Sequence, residues 1–322
     1  MNENDSKNSQ TPLDDPAWQR ALIARLAESS LVEQRRARRW GIFFKLAGFA
    51  YLFIILALMF RDIGVDDGMT KEDHVALVTL DGPIMEGAPA GAETVIKGLR
   101  KAFEDKHAKG VILRINSPGG SPVQSGYIYD EVRRLRAKHP DKPLHAVIAD
   151  IGASGGYYVA AAADAIYADK ASIVGSIGVR MDGFGVVGLM EKLGVEHREL
   201  TAGDHKALMS PFKPVDQAEK AHMEGLLRDV HAQFMDVVRK GRGERLKETP
   251  ELFSGLVWTG EQAASLGLVD GLGSVDSVAR DVLKVDKVVD VTPEAGVFER
   301  LIDRLGVSIS LALVRAQTGV WN

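Results

Sequence analysis

Apolar and polar positions follow different rhythms along this chain. Residues 1–15 are polar throughout and predict a disordered tail. From Pro16 to Trp40 the spacing of Trp18, Leu22, Leu26 and Leu31 predicts a helix with an intermittent apolar face, ending in Arg35, Arg36, Arg38 and Arg39. Gly41 to Phe60 is apolar almost without a break, and its 20 residues match a bilayer core of about 30 Å at about 1.5 Å per residue. Lys45 lies one turn from the basic end, where its stem can snorkel toward headgroups. A cleaved signal peptide fits less well, because the basic region would be far too long and no Ala-x-Ala-like site follows Phe60. With the arginines on the N-terminal side, the positive-inside rule orients the span with its N-terminus in the cytoplasm. The expected organisation is a cytoplasmic tail over 1–40, a transmembrane anchor over 41–60 and a polar linker over 61–73. A folded domain over 74–292 and an amphipathic extension over 293–322 complete it.

Within the folded domain the rhythm changes again. A strand at His74–Gly82 is followed by a helix with Val95, Ile96, Leu99 and Phe103 on one face. The near-continuous apolar run Gly110–Ser117 is of the kind buried on both faces of a sheet. It empties into Pro118-Gly119-Gly120-Ser121-Pro122, a helix carries Ile128, Val132 and Leu135, and a further strand spans Leu144–Asp150. Strand and helix alternate at roughly 35 residues per unit, which predicts an α/β fold of right-handed βαβ crossovers around a parallel sheet. Short strand-like pieces follow at Ala165–Asp169 and Ile173–Val179, with a short helix between Met181 and Val195. A long amphipathic helix is predicted from about Asp216 to Lys240, and a last strand at Val285–Val291.

Composition narrows the chemistry. The chain has 322 residues, a net charge of −4 and no cysteine. The charge gives no reason to expect a nucleic-acid partner, and the missing cysteines exclude disulfides, thiolate catalysis and cysteine-ligated zinc. No phosphate loop or dinucleotide fingerprint follows a strand, so no cofactor and no metal are expected.

Two glycine-rich turns follow consecutive strands, Gly119-Gly120 and Gly152-Ala153-Ser154-Gly155-Gly156. In an open parallel sheet both would face one cleft at the carboxyl ends of the strands. Ser154 sits at a strand-to-helix turn, where free N–H groups and the helix dipole favour developing negative charge. That setting suits a nucleophile, and it also describes many tight turns. Three bases are open. A Ser-His-Asp triad would draw Asp204 with His222 or His231, both histidines lying in the long helix as apparent solvated positions. Lys206 lies among Ala207, Leu208 and Met209, where burial can lower an amine from its ordinary pKa of about 10.4. His205 is next door, and neighbouring side chains point in different directions.

The motifs Ile115-Asn116-Ser117-Pro118-Gly119-Gly120, Gly152–Tyr158, Gly175-Ser176-Ile177-Gly178, Lys206–Pro211, Trp258–Ala263 and Gly267–Asp270 occur in one order. In that order the chain resembles the short form of the signal peptide peptidase A (protease IV) family. The resemblance covers roughly Val75 to Val285. It implies a crotonase-like α/β fold related to the Clp protease and a serine–lysine dyad, with Ser154 matching the nucleophile and Lys206 the base. Gly120 and Gly155 then become oxyanion donors, Ser176 a residue that orients the lysine, and Gly119, Gly152 and Ala153 neighbours of the substrate. One departure is His205, where the family commonly has an aromatic residue. The resemblance further implies a membrane-bound homo-oligomer in which each site is completed at a subunit boundary. It would act on hydrophobic peptides such as cleaved signal peptides, on the extracytoplasmic side of a bacterial inner membrane. The competing readings are an anchored crotonase-like scaffold without catalysis and an acyl-CoA enzyme on the same fold. An anchor facing away from cytoplasmic CoA disfavours the second.

Overall fold

A computed structural model describes residues 16–61 and 72–293, with some side chains of the first stretch left out. The expected tail over 1–15, most of the linker and nearly all of the C-terminal extension lie outside the described residues. The chain divides into two compact units, Met1–Val65 and Asp66–Asn322.

The first unit is one continuous helix, α1 (Pro16–Arg61), of 46 residues. The sequence reading divides this stretch at Trp40, but the helix runs on through Gly41 without a break. Trp40 instead packs on Phe43 and Phe44, each at 5.7 Å between ring centroids. Among the described residues no helix is long and apolar enough to cross a membrane. The last five side chains of the 41–60 run, 56–60, are not among them.

The second unit is built on a mixed α/β plan around a central sheet. Strand β1 (His74–Asp81), helix α2 (Ala92–Glu104), strand β2 (Ala108–Ser117), helix α3 (Pro122–Lys138) and strand β3 (Leu144–Ala153) form two successive crossovers. All three strands are parallel. Val111, Ile112, Leu113 and Ile115 of β2 are fully buried, as its unbroken apolar run requires for a strand covered on both faces. Helix α2 turns Val95, Leu99 and Phe103 inward. Helix α3 is started by Ser121, whose hydroxyl accepts from the Gln124 N–H, with Pro122 in the first turn. Helix α4 (Gly155–Ala160) follows β3 at once, and β4 (Ala165–Ala168) and β5 (Ile173–Gly175) come next.

Strand β3 forks. Its first half, His145–Ile148, pairs with β4, and its last residues, Ile151–Ala153, pair with β5. The remaining elements are helices α5 (Val187–Leu193) and α6 (Gln217–Arg242), strand β6 (Val257–Thr259), helix α7 (Gly260–Ser265), strand β7 (Gly271–Leu272), helix α8 (Val275–Ser277) and strand β8 (Val288–Asp290). The strand order is β6-β5-β3-β2-β1-β8, with β4 branching from β3 and β7 pairing with β4. The edge strand β6 is antiparallel to β5, and β8 closes the far edge beside β1. The last strand is shorter than expected because Val285 joins the cluster under the sheet formed by Val75, Ile112, Val147, Val278 and Ala279.

The carboxyl-terminal part of the core is tied by ions. The Arg242 guanidinium is fully buried, donates to Gly267 O at 2.8 Å and pairs with Asp270 at 2.8 Å. Asp270 also takes Arg245 at 2.9 Å and the Ile166 N–H at 2.7 Å. Burial alone would raise the Asp270 carboxyl, but the Arg242 hydrogen bond and its other partners outweigh it and hold the group below the ordinary range.

Candidate active site

Ser154 stands where β3 gives way to α4, and the backbone there is strained. Its φ of 51° and ψ of −123° are rare for a residue with a side chain. The conformation is over-determined by its neighbours: the Ser154 N–H donates to Gly175 O at 2.8 Å, and its carbonyl accepts from Tyr158 N at 2.9 Å. The helix it starts is nearly all buried. Tyr157 is fully enclosed and its hydroxyl donates to Leu268 O at 2.6 Å, while burial pushes the phenol up. No side chain caps this helix, so its first N–H groups stay free beside the serine.

The second glycine turn is pressed against the first. A Cβ on Gly119 would lie 2.7 Å from Ser154 Cβ and 2.6 Å from Gly155 N. Gly120, at φ 152°, could carry no Cβ either, because Ile84 O would be 2.2 Å away. Ile84 holds this turn through two hydrogen bonds, donating to Gly119 O at 2.9 Å and accepting from Ser121 N at 2.8 Å. The buried Ser117 hydroxyl accepts the Gly119 N–H at 3.1 Å. The Gly120 and Gly155 N–H groups enter none of these turn hydrogen bonds, and both residues border the cleft.

That cleft has a volume of about 780 Å³. Pro118, Gly119 and Gly120 form one wall, with Ser154, Gly155 and Tyr158 at the floor. Ser176 and Gly178–Arg180 line it as well, with Val230, Gln233 and Phe234 from α6. Tyr158 lies between Tyr129 and Phe234, at 5.5 and 5.2 Å between ring centroids. Ser176 has a φ of 51°, and its N–H donates to Leu256 O at 2.8 Å. Ser154, Gly119, Gly120, Gly155 and Ser176 are thus brought together. Gly152 and Ala153 are not at the cleft: both are buried strand residues, paired across the sheet with Val174 and Gly175.

Lys206 does not line the cleft. It lies in an exposed turn, its N–H donating to Gly203 O at 3.1 Å, and its ammonium makes no hydrogen bond or ion pair among the described residues. The turn belongs to a long stretch, residues 178–218, in which no residue is buried, although Phe184, Leu193 and Leu200 are 87%, 68% and 100% exposed. His205 faces Glu219, with its Nδ1 4.0 Å from the carboxylate, which also takes Lys213 and the Met209 N–H. Of the two helix histidines, His222 is exposed on α6 and His231 engages Ile177 O at 3.1 Å. The expectation that His231 is solvated is therefore corrected: it ties α6 to the wall that carries Ser176.

Two residues escape the sequence reading, and a third, Trp258, enters it only as part of a motif. Ser125 is buried with its hydroxyl donating to Ser121 O at 3.0 Å, and a Cβ on Gly155 would meet that oxygen at 2.4 Å. Ile84 lies in a loop of no regular pattern. Trp258 packs against Gly175, where a Cβ would touch its ring at 2.9 Å. Among the described residues no group of three metal-ligating side chains comes together.

The comparisons with known proteins follow this geometry. The profile described as Peptidase family S49 matches residues 136–290, which include Ser154, Ser176 and Lys206. A Brucella melitensis protein named as a Na(+)/H(+) antiporter, NhaA, is 42% identical over 258 residues, covering 77% of this chain and 35% of that protein. An Enterococcus faecium protein whose name describes it as a signal peptide peptidase, SppA, is 36% identical over 194 residues, 60% of this chain and 56% of that one. A Synechocystis protein named as a protease, slr0021, is 30% identical over 254 residues, covering 74% of this chain and 89% of its own length. The chain thus spans only 35% and 56% of the first two.

Proposed function

The chain belongs to peptidase family S49, and on that premise we propose that it is a membrane-anchored serine endopeptidase working through Ser154 and Lys206. The observation that carries the reading is the strained turn at Ser154, with the free N–H groups of Gly120 and Gly155 beside it. A serine at such a station can attack a peptide carbonyl while the two N–H groups receive the developing oxyanion. Removing one donor of that kind costs about 2.7–4 kcal/mol of transition-state stabilisation. Relatives named as proteases and as a signal peptide peptidase support this chemistry.

The base is supplied, on this reading, by Lys206 of a second copy. The support is a contrast within one chain: the nucleophile is held by the core, whereas Lys206 rides on a stretch that buries nothing and exposes large apolar side chains. Apolar surface of that extent marks an association site. Docked against a neighbour, Lys206 would lose water, and desolvation favours the neutral amine that can accept a serine proton. Ser176, beside Ser154 at the cleft, would orient that amine. The domain follows the crotonase-like plan implied by the sequence resemblance, and the 41–60 run serves as a single span with the N-terminus in the cytoplasm. Hydrophobic peptides, including spent signal peptides, are the substrates that a tethered cleft with an aromatic floor would meet.

The test uses the full chain in detergent, with casein and a hydrophobic peptide as substrates. Ser154→Ala and Lys206→Ala should each be inactive, and mixing the two should restore part of the activity through hybrid sites. Loss in His205→Ala with survival in Lys206→Ala would overturn the lysine assignment, and no activity in the assembled wild type would leave the scaffold reading.

A further inference from the structure

A second cavity lies at the other end of the sheet from Ser154, beside Leu144, the first residue of β3. It has a volume of about 310 Å³ and is lined by Arg133, Arg136, His139, Lys142 and Asp164. The one carboxylate in its wall is already taken, by Arg136 on one oxygen and by the Leu144 N–H at 2.8 Å on the other. The basic groups are not correspondingly satisfied. Arg133 makes no ion pair or hydrogen bond among the described residues. Arg136 is held through its two terminal nitrogens, by Asp164 and by Ala162 O, but its buried Nε meets no partner. His139 packs its ring on Phe103 at 5.6 Å, and its buried Nε2 is also without a partner. Lys142 directs its ammonium to the Phe103 and Asp105 carbonyls, at 2.9 and 2.6 Å, with no carboxylate in ion-pair range.

A buried polar atom left unsatisfied costs on the order of 1–3 kcal/mol, and here Arg136 and His139 each carry one and line the same cavity as the unpaired Arg133 guanidinium. The basic last turn of α3 complements its helix dipole, which explains the charge but not the buried, unmet nitrogens. We propose that this cavity binds a phosphate-type oxyanion. Arg133 would close over it as a fork, with the Arg136 and His139 side chains lining its wall. The same chemistry is offered by inorganic phosphate and by the headgroup of an anionic phospholipid. None of these residues belongs to the peptidase cleft, so the proposal stands or falls apart from the peptidase reading.

Hydrogen–deuterium exchange of the full chain in detergent micelles tests it, with inorganic phosphate added in one arm and an anionic phospholipid doped into the micelles in the other. Amides in 133–144 should exchange about tenfold more slowly at ten times the Kd. The exposed substitution Arg133→Glu should abolish the effect, His139→Gln should weaken it, and Arg228→Glu on α6 should leave it intact. Protection by phosphate alone, by lipid alone or by both supports the site and identifies the source. Protection by neither, or equal protection in Arg133→Glu, overturns it.

Discussion

Ser154 and Ser176 stand side by side at the ends of two paired parallel strands, and both have a φ of 51°. The register that pairs Ala153 with Gly175 makes them successive partners, and the Ser154 N–H bonds to Gly175 O. Two non-glycine residues in a conformation that L-residues avoid, facing one cleft, mark strain held where the chemistry is proposed.

Ser154→Gly separates strain from reactivity. Glycine adopts this backbone without strain, so relief of about 1–3 kcal/mol of strain, offset by about 0.5–1 kcal/mol of added chain entropy, should leave the variant more stable, seen as a higher Tm, while losing all peptidase activity. A lower Tm would mean that the side chain, not the backbone, holds the turn.

The contact between Gly155 and Ser125 predicts a rescue. Gly155→Ala should abolish activity by driving its methyl into the Ser125 hydroxyl at 2.4 Å. Because the one contact under 3.0 Å is a side-chain oxygen, with the Gly120 backbone next at 3.3 Å, Ser125→Ala should recover part of that loss in the double variant, a coupling readable in a double-mutant cycle. Gly120→Ala, opposed by the Ile84 backbone at 2.2 Å, should not be recoverable by any side-chain change.

Much of this was legible in the residues themselves. The apolar β2 run announced a strand covered on both faces, and the two glycine turns after consecutive strands announced one cleft. The glycine turn packed on Ser154 was readable for the same reason: glycine is required where backbone meets backbone. Ser125 was not, because a serine within a helix pattern carries no mark of the loop it buttresses. Nor was the cleft role of Tyr158, Gln233 and Phe234, since helical periodicity separates inside from outside but not core from cleft wall. That Lys206 does not line the cleft was hidden because a single sequence does not encode which apolar residues find no partner within their own chain.

Acid should loosen the α2–α3 contact. Glu131 accepts from Arg134 at 2.7 and 2.8 Å and from Arg100 at 2.7 Å, and the Arg134 hydrogen bonds, against the opposing effect of burial, hold its carboxyl at about 2. Its unfolded value is near 4.5. A depressed carboxyl stabilises the fold above the unfolded value, and this stability is lost as pH falls from about 4.5 toward about 2. Denaturant titrations should show wild type falling more steeply across that window than Glu131→Gln, the two curves converging in acid.

Breaking the buried ion pair tests the carboxyl-terminal tie. Asp270→Ala leaves the fully buried Arg242 uncompensated and should cost about 3–5 kcal/mol, lowering Tm by about 10 °C or more. Arg242→Met with Asp270→Ala should be milder than Asp270→Ala alone.

The unburied stretch from 178 to 218 has a consequence in mass action. If the base comes from a neighbour, a fully folded single chain is half a catalyst, and turnover depends on encounter. In dilute detergent, specific activity should climb with protein concentration and then level off. Chains held in one membrane meet in two dimensions at a far higher effective concentration. Tethering would then do more than locate the enzyme; it would switch it on.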